Sequence, residues 1–179
     1  MKILTAPNDY EYLDNKSDKD IFCFLAGGIT DCYNWQDRVI KKLKIFDDCW
    51  GLDNLVVCNP RRKNFPIDKQ GEATKQIKWE YFYLTTCDIF SMYFCGGRSV
   101  QPICLYELGS YTRHFMNRYG EDVLNHIIVS CENEYSRKND VIIQSELLLK
   151  CDVVNRLATP HKHAKNIALK YLELVDLER

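Results

Sequence analysis

The stretch IFCFLAG, Ile21–Gly27, decides the fold class. Six apolar residues run without a polar break and stop at Gly27 and Gly28. A run this short, ending on glycines, reads as a strand buried on both faces rather than one with a solvent side. The segment that follows, NWQDRVIKKLKIF, changes period. Trp35, Val39, Leu43 and Phe46 recur at helical spacing, Asn34 is a good N-cap, and Asp37 suits the first turn of a helix. Strand, glycine turn and helix together are the opening half of a βαβ unit.

The same alternation continues outward. NLVVCNP, DIFSMYF, HIIVSC and DVV read as further strands. Between and after them lie four more helical segments. EATKQIKWEYFYLTTC is expected to turn Ile77, Tyr81 and Leu84 inward. PICLYELGSYTRHFMNRYG carries Cys104, Leu108, Tyr111 and Phe115 on one face, with Pro102 near its start. NDVIIQSELLLKC follows, and a last helix from about His161 points Ala164, Ala168, Tyr171 and Val175 inward. The polar stretch Tyr10–Asp20 reads as a surface lead-in. Alternating strands and helices predict an α/β chain. The expected architecture is a flavodoxin-like, Rossmann-like three-layer sandwich around a mostly parallel five-stranded sheet in the order 2-1-3-4-5, with residues 1–179 forming one domain. Ligands in such sheets bind beyond the carboxyl ends of the strands, near the switch in strand order. The loops AGGITD, NPRR and CGGRSVQ are expected to meet there.

Composition narrows the function classes. The 179 residues are 46% hydrophobic, enough for a core, and the net charge of −1 exerts no global pull on a nucleic acid polymer or an anionic membrane. No apolar stretch is long enough to span a bilayer, and the polar, acidic N-terminal region does not read as a secretory signal. The nine cysteines include no C-x-x-C pair, and several sit in apolar runs. They read as reduced, buried thiols of a cytoplasmic protein. The four histidines do not pair with cysteines at ligand spacing, so no metal is expected. Neither a dinucleotide fingerprint nor a Walker loop is present, and no cofactor is expected.

Several residues can carry chemistry. Glu107, in LYELGSY, sits in the first turns of its helix beside an apolar stripe. It is either a helix-end acid favoured by the dipole or a carboxylate aimed into the switch-point crevice. Gly27, Gly28 and Ile29 allow close backbone approach to a ligand, or form an ordinary tight turn. Asn59, Arg61 and Arg62 of NPRR follow a strand, where the arginines either grip a phosphate or carboxylate or sit solvated. Glu80 could face the same crevice, and Asp88 could act there or cap a helix. Trp35 and Trp79 read as core edges, although an aromatic such as Trp79 near the site would suit a nucleobase.

Taken in order, FLAGGI, a tryptophan, NPRR, QIKWEYFYLTTCDIF, LYELGSY and YSRKNDVIIQ resemble the nucleoside 2-deoxyribosyltransferase-like family, specifically its branch with N-P-R-R and W-E. The resemblance runs from about Ile21 to Val154. It implies that Glu107 is a nucleophile, that Glu80 is the acid placed near the nucleobase, in register with Asp88, and that Ala26–Ile29 form the glycine loop. It also implies a homo-oligomer whose sites are completed across subunits. Three departures stand out. Cys23 replaces a tyrosine that orients the nucleophile, Gln101 falls where an aspartate helps hold the sugar, and the C-terminal residues that complete a neighbour's site have no match. The implied reaction is cleavage or transfer at the N-glycosidic bond of a nucleoside or nucleotide through a glycosyl-glutamate. Attack by a base would make it a transferase and attack by water a hydrolase, and the NPRR arginines tilt the substrate toward a phosphate. The alternative is a non-catalytic nucleotide-binding module on the same fold.

Overall fold

A computed structural model describes residues 1–8, 17–66 and 69–177. Its elements run β1 (Lys2–Thr5), β2 (Ile21–Gly27), α1 (Trp35–Trp50), β3 (Leu55–Asn59), α2 (Glu72–Thr86), β4 (Ile89–Phe94), α3 (Pro102–Tyr119), β5 (Ile127–Cys131), α4 (Lys138–Leu149), β6 (Val154–Asn155) and α5 (Pro160–Leu177). The strands form one open sheet in the order β1-β3-β2-β4-β5-β6, and every described ladder is parallel.

The expected sheet of five strands is therefore a sheet of six. The predicted order survives inside it, and β1 is added at the edge beside β3, with Lys2 opposite Val56 and Thr5 opposite Asn59. The strand is legible only with difficulty because it is four residues long and buries fully only Leu4. Most of the polar lead-in before β2 lies outside the described residues.

Strand β2 is the centre of the layering. Phe22, Phe24 and Ala26 enter one core with α2, α3 and α4, while Ile21, Cys23 and Leu25 enter the other with α1 and α5. Both faces of the strand are thus covered, which is why its sequence does not alternate with polar residues. Asn34 caps α1 by accepting a hydrogen bond from the Asp37 backbone N–H at 3.1 Å. Seven of the nine cysteines are buried, and all are free thiols. On the α1–α5 side, His163 is enclosed between Ser91 (2.7 Å) and Ser130 (2.8 Å), and burial pushes its imidazole down to about 3, so the ring stays neutral.

Helix α2 departs from its expected facing. Ile77 and Tyr81 are exposed, whereas Gln76, Trp79, Tyr83 and Leu84 point inward. The two large aromatics decide the rotation. Trp79 packs on Phe24 and Tyr83, and its indole N–H reaches the Asn8 carbonyl at 2.7 Å. The facing predicts a clear contrast under urea denaturation. Trp79→Ala should cost roughly 3–5 kcal/mol, and Ile77→Ala no more than about 0.5 kcal/mol; equal losses would contradict this packing.

Candidate active site

The carboxyl ends of β2 and β4 lie side by side, with Gly27 opposite Tyr93 in the ladder. At Gly27 φ is +147°, and an added Cβ would stand 2.3 Å from the Tyr93 carbonyl oxygen and 2.7 Å from the Trp35 ring. At Gly28 it would meet Cys32 Sγ at 2.5 Å and Gln101 Oε1 at 2.6 Å. Both glycines are thus required by close packing, and the backbone of the turn is laid bare beside the start of α3.

The loop after β2 is held from three sides. The Trp35 indole N–H donates to the Gly28 carbonyl at 2.9 Å. Arg61 donates to four acceptors on or beside this loop: the carbonyls of Ile29 (3.2 Å), Cys32 (2.9 Å) and Tyr33 (2.9 Å), and Oε1 of Gln36 (3.1 Å). Asn59 steers Arg61 by accepting from its backbone N–H at 3.0 Å. On the third side Glu132, after β5, accepts from the hydroxyls of Tyr33 and Tyr93 and from the Gly96 N–H.

Beyond these supports opens a cavity of about 420 Å³, lined by Gly27–Asp31, Glu80, Ser99, Gln101–Cys104 and Glu107. Its size suits a small-molecule ligand. Of the residues singled out from the sequence, Gly27, Gly28, Ile29, Glu80 and Glu107 meet there. The others lie elsewhere. Asn59 and Arg61 act behind the loop. Arg62 pairs with Glu72 at 2.8 Å; together with Lys75, the larger influence, it holds the Glu72 carboxyl down at about 2. Trp79 is fully buried in the core. Asp88 stands at the opposite end of β4, accepting from the Phe22 N–H at 2.9 Å and facing Arg118 at 3.6 Å.

Glu80 and Glu107 are the chemical centre of the cavity. Burial, and then the neighbouring Glu80 charge, push the Glu107 carboxyl up to about 8. Burial also raises Glu80, opposed by a hydrogen bond from Gln76 Nε2 at 2.8 Å. The same amide nitrogen donates to the Pro60 carbonyl at 2.7 Å, so NPRR sets the position of Glu80 through Gln76. Raised to about 8, the Glu107 carboxyl keeps its proton at neutral pH, and the neighbouring Glu80 charge opposes its ionisation.

Gln101 completes the lining. It is 4% exposed, has a left-handed backbone (φ 47°) at the start of α3, and donates from Nε2 to the Cys95 carbonyl at 2.8 Å. Its Oε1 is buried without a hydrogen-bond partner. Sequence reasoning met Gln101 only as a departure from a motif. An orphaned, buried acceptor has no sequence signature, because it depends on how the Cys95–Gln101 loop folds back. Among the described residues no group of three or more His, Cys, Asp or Glu side chains is placed to hold a metal ion, and no helix is long and apolar enough to cross a membrane.

An open parallel sheet with a glycine turn and paired acids at its switch point defines a class of small-molecule α/β proteins. A family profile described as nucleoside 2-deoxyribosyltransferase like matches residues 20–119, more than half of the chain, and the chain belongs to that family. No curated protein gives a significant match.

The paired acids make stability depend on pH. A carboxyl whose pKa is raised on folding contributes fully below its unfolded value, and this contribution is lost as pH rises through about 8. Glu107→Gln, which cannot ionise, should therefore melt higher than the parent at about pH 9, by on the order of 1–3 kcal/mol, with little difference at about pH 4. Thermal melts at the two pH values check this.

Proposed function

We propose that this chain cleaves the N-glycosidic bond of a nucleoside, with Glu107 as nucleophile and Glu80 as proton donor. The observation that carries the reading is that two interacting carboxyls line one cavity beside Gly27 and Gly28. Family membership supports a nucleoside-related transferase role.

In the first step the C1′–N bond breaks, and its electron pair leaves with the base. Positive charge builds on the sugar, and the Glu107 carboxylate stabilises it and closes a C1′–O bond. Glu80, in its protonated form, gives its proton to the departing base nitrogen. The cationic sugar favours Glu107 ionised and so favours the proton on Glu80. In the second step a new base, or water, attacks C1′ and returns its proton to Glu80 as the glycosyl–glutamate bond breaks.

Charge favours a nucleoside over a nucleotide. The described lining includes three acids, Asp31, Glu80 and Glu107, and no lysine or arginine. A unit phosphate charge at roughly 6 Å from one ionised carboxylate costs about 3 kcal/mol at an effective dielectric constant near 20. The guanidiniums of Arg61 and Arg62 are engaged with the loop and with Glu72. The reading also includes self-association. Ile103 and Tyr106, 66% and 72% exposed, stand beside Glu107 on α3, and Ile77 and Tyr81 flank Glu80 on α2. A second copy covering these side chains would narrow the mouth of the site.

The test is chromatography with mass detection, after incubation with deoxynucleosides, ribonucleosides and their monophosphates, with and without an acceptor base. Free base or an exchanged nucleoside should appear from nucleosides in preference to monophosphates. Glu107→Ala should abolish it, and Glu80→Gln should slow it by about 10²–10⁴-fold. Turnover undiminished in Glu107→Ala would remove the mechanism. Ligand stabilisation without turnover would point to a binding module. Sedimentation of the parent against Tyr81→Ser/Tyr106→Ser checks the assembly, which should weaken in the double variant.

A further inference from the structure

The cavity that holds Glu80 and Glu107 has a neighbour. A cleft of about 500 Å³ between α2 and α3 is lined by the same two acids, by Ile103, and by Tyr81, Tyr106 and Tyr111. The acids therefore stand where two spaces meet, one walled by the glycine loop and the other by phenol rings. Among the described residues no lysine or arginine lines either space, and Asp31 adds a third acid on the glycine-loop side. Of the other titratable groups around the pair, burial raises the Cys104 thiol and the Tyr111 phenol, so both stay neutral, and His114 directs Nε2 at the Thr85 carbonyl at 3.1 Å.

Such surroundings discriminate by the sign of a ligand's charge. Carboxylates attract a positive group, and aromatic rings offer it their negative faces. Protonation sharpens the preference. The free protein holds Glu107 protonated at neutral pH, and a protonated carboxyl is a poor nucleophile. A neutral nucleoside leaves that proton in place until its own bond has begun to break. A cation beside the pair favours the ionised forms and expels the proton on binding.

We propose that the ligand of this cavity is a nucleoside whose base carries a fixed positive charge, as a pyridinium or an N-alkylated purine does. The inference rests on the glycosidic reading for the sugar and its bond, and on the acids and tyrosines for the charge. The chemistry is shorter than for a neutral nucleoside. A Glu107 oxygen closes a bond to C1′ while the C1′–N bond breaks, and the released electron pair neutralises the base nitrogen, so the base departs without taking a proton. Water then attacks C1′, Glu107 leaves as carboxylate, and the proton of the water passes to Glu80 and on to solvent. For this class of ligand Glu80 handles a proton only in the second step.

The probes are an N-methylpyridinium C-riboside and its neutral tolyl counterpart, which share a shape, differ by one charge and have no N-glycosidic bond to cleave. Calorimetric titration compares them in the parent, in Glu107→Gln and in Asp31→Asn; asparagine accepts the left-handed backbone of Asp31, whose φ is 57°. The cation should bind the parent about ten-fold tighter than the neutral probe at neutral pH. Its affinity should rise about five-fold or more from about pH 6 to about pH 8.5, because Glu107 no longer has a proton to release, while the neutral probe shows no such rise. That rise should shrink in Glu107→Gln. Asp31 is exposed and screened, so Asp31→Asn should weaken the cation only about three-fold. Equal affinity for the two probes, the same pH trend for both, or no saturable binding of the cation would overturn the proposal. A parallel incubation with nicotinamide riboside keeps the two readings apart. Charge-selective binding without release of nicotinamide upholds the ligand class and removes the glycosidic step, whereas release of base from neutral nucleosides without any charge preference does the reverse.

Discussion

The guanidinium of Arg61 is the tie on which the site depends. One side chain, coming from the end of β3, satisfies three loop carbonyls and the Gln36 amide oxygen. A loop with that many inward carbonyls has no sheet or helix ladder to use, so without a fixed donor its oxygens would turn to water. With the loop held, Gly28 sits against Gln101, Trp35 closes over Gly27, and the floor of the cavity is complete. The charge of Arg61 is therefore used on neutral backbone, inside the protein and behind the cavity.

Gln76 extends the same support to the acids. Its amide joins the Pro60 carbonyl to Glu80, so the NPRR turn governs both the glycine loop and one carboxyl of the pair. Glu107 has no comparable hydrogen bond among the described contacts. Its protonation answers to burial and to the Glu80 charge. This asymmetry suits a pair in which one acid is held in place and the other is left free to meet a ligand.

Much of this was legible in the sequence, for physical reasons. The doubly buried strands β2, β3, β4 and β5 carry apolar runs that only a covered parallel sheet explains, so fold class and strand order followed from pattern. The position of the cavity followed from topology, and Gly27, Gly28, Ile29, Glu80 and Glu107 line it together. What pattern could not supply was direction. Arg61 and Arg62 looked like anion ligands because arginines after a strand usually face solvent or ligand, yet their partners lie 25 to 32 residues upstream for Arg61 and 10 residues downstream for Arg62. Helix α2 was misjudged by a fraction of a turn because Ile77 and Tyr81 compete with Trp79 and Tyr83 for the inner face, and only packing against Phe24 decides between them. Strand β1 escaped because an edge strand of four residues has too little pattern to register.

Gln101 has a consequence for how such a protein can change over generations. One end of its amide anchors the turn into α3, and the other end packs against Gly28 at the cavity wall. Shape and recognition are joined in a single residue. A substitution that alters what the cavity prefers at this point also shifts the first turn of the helix carrying Glu107. Drift at position 101 is accordingly confined, while the Thr30 side chain, which lines the same cavity, has no hydrogen bond among the described contacts. A change in what the cavity prefers costs the fold least at such a position, which leaves the acid pair and the helix beneath it as they are.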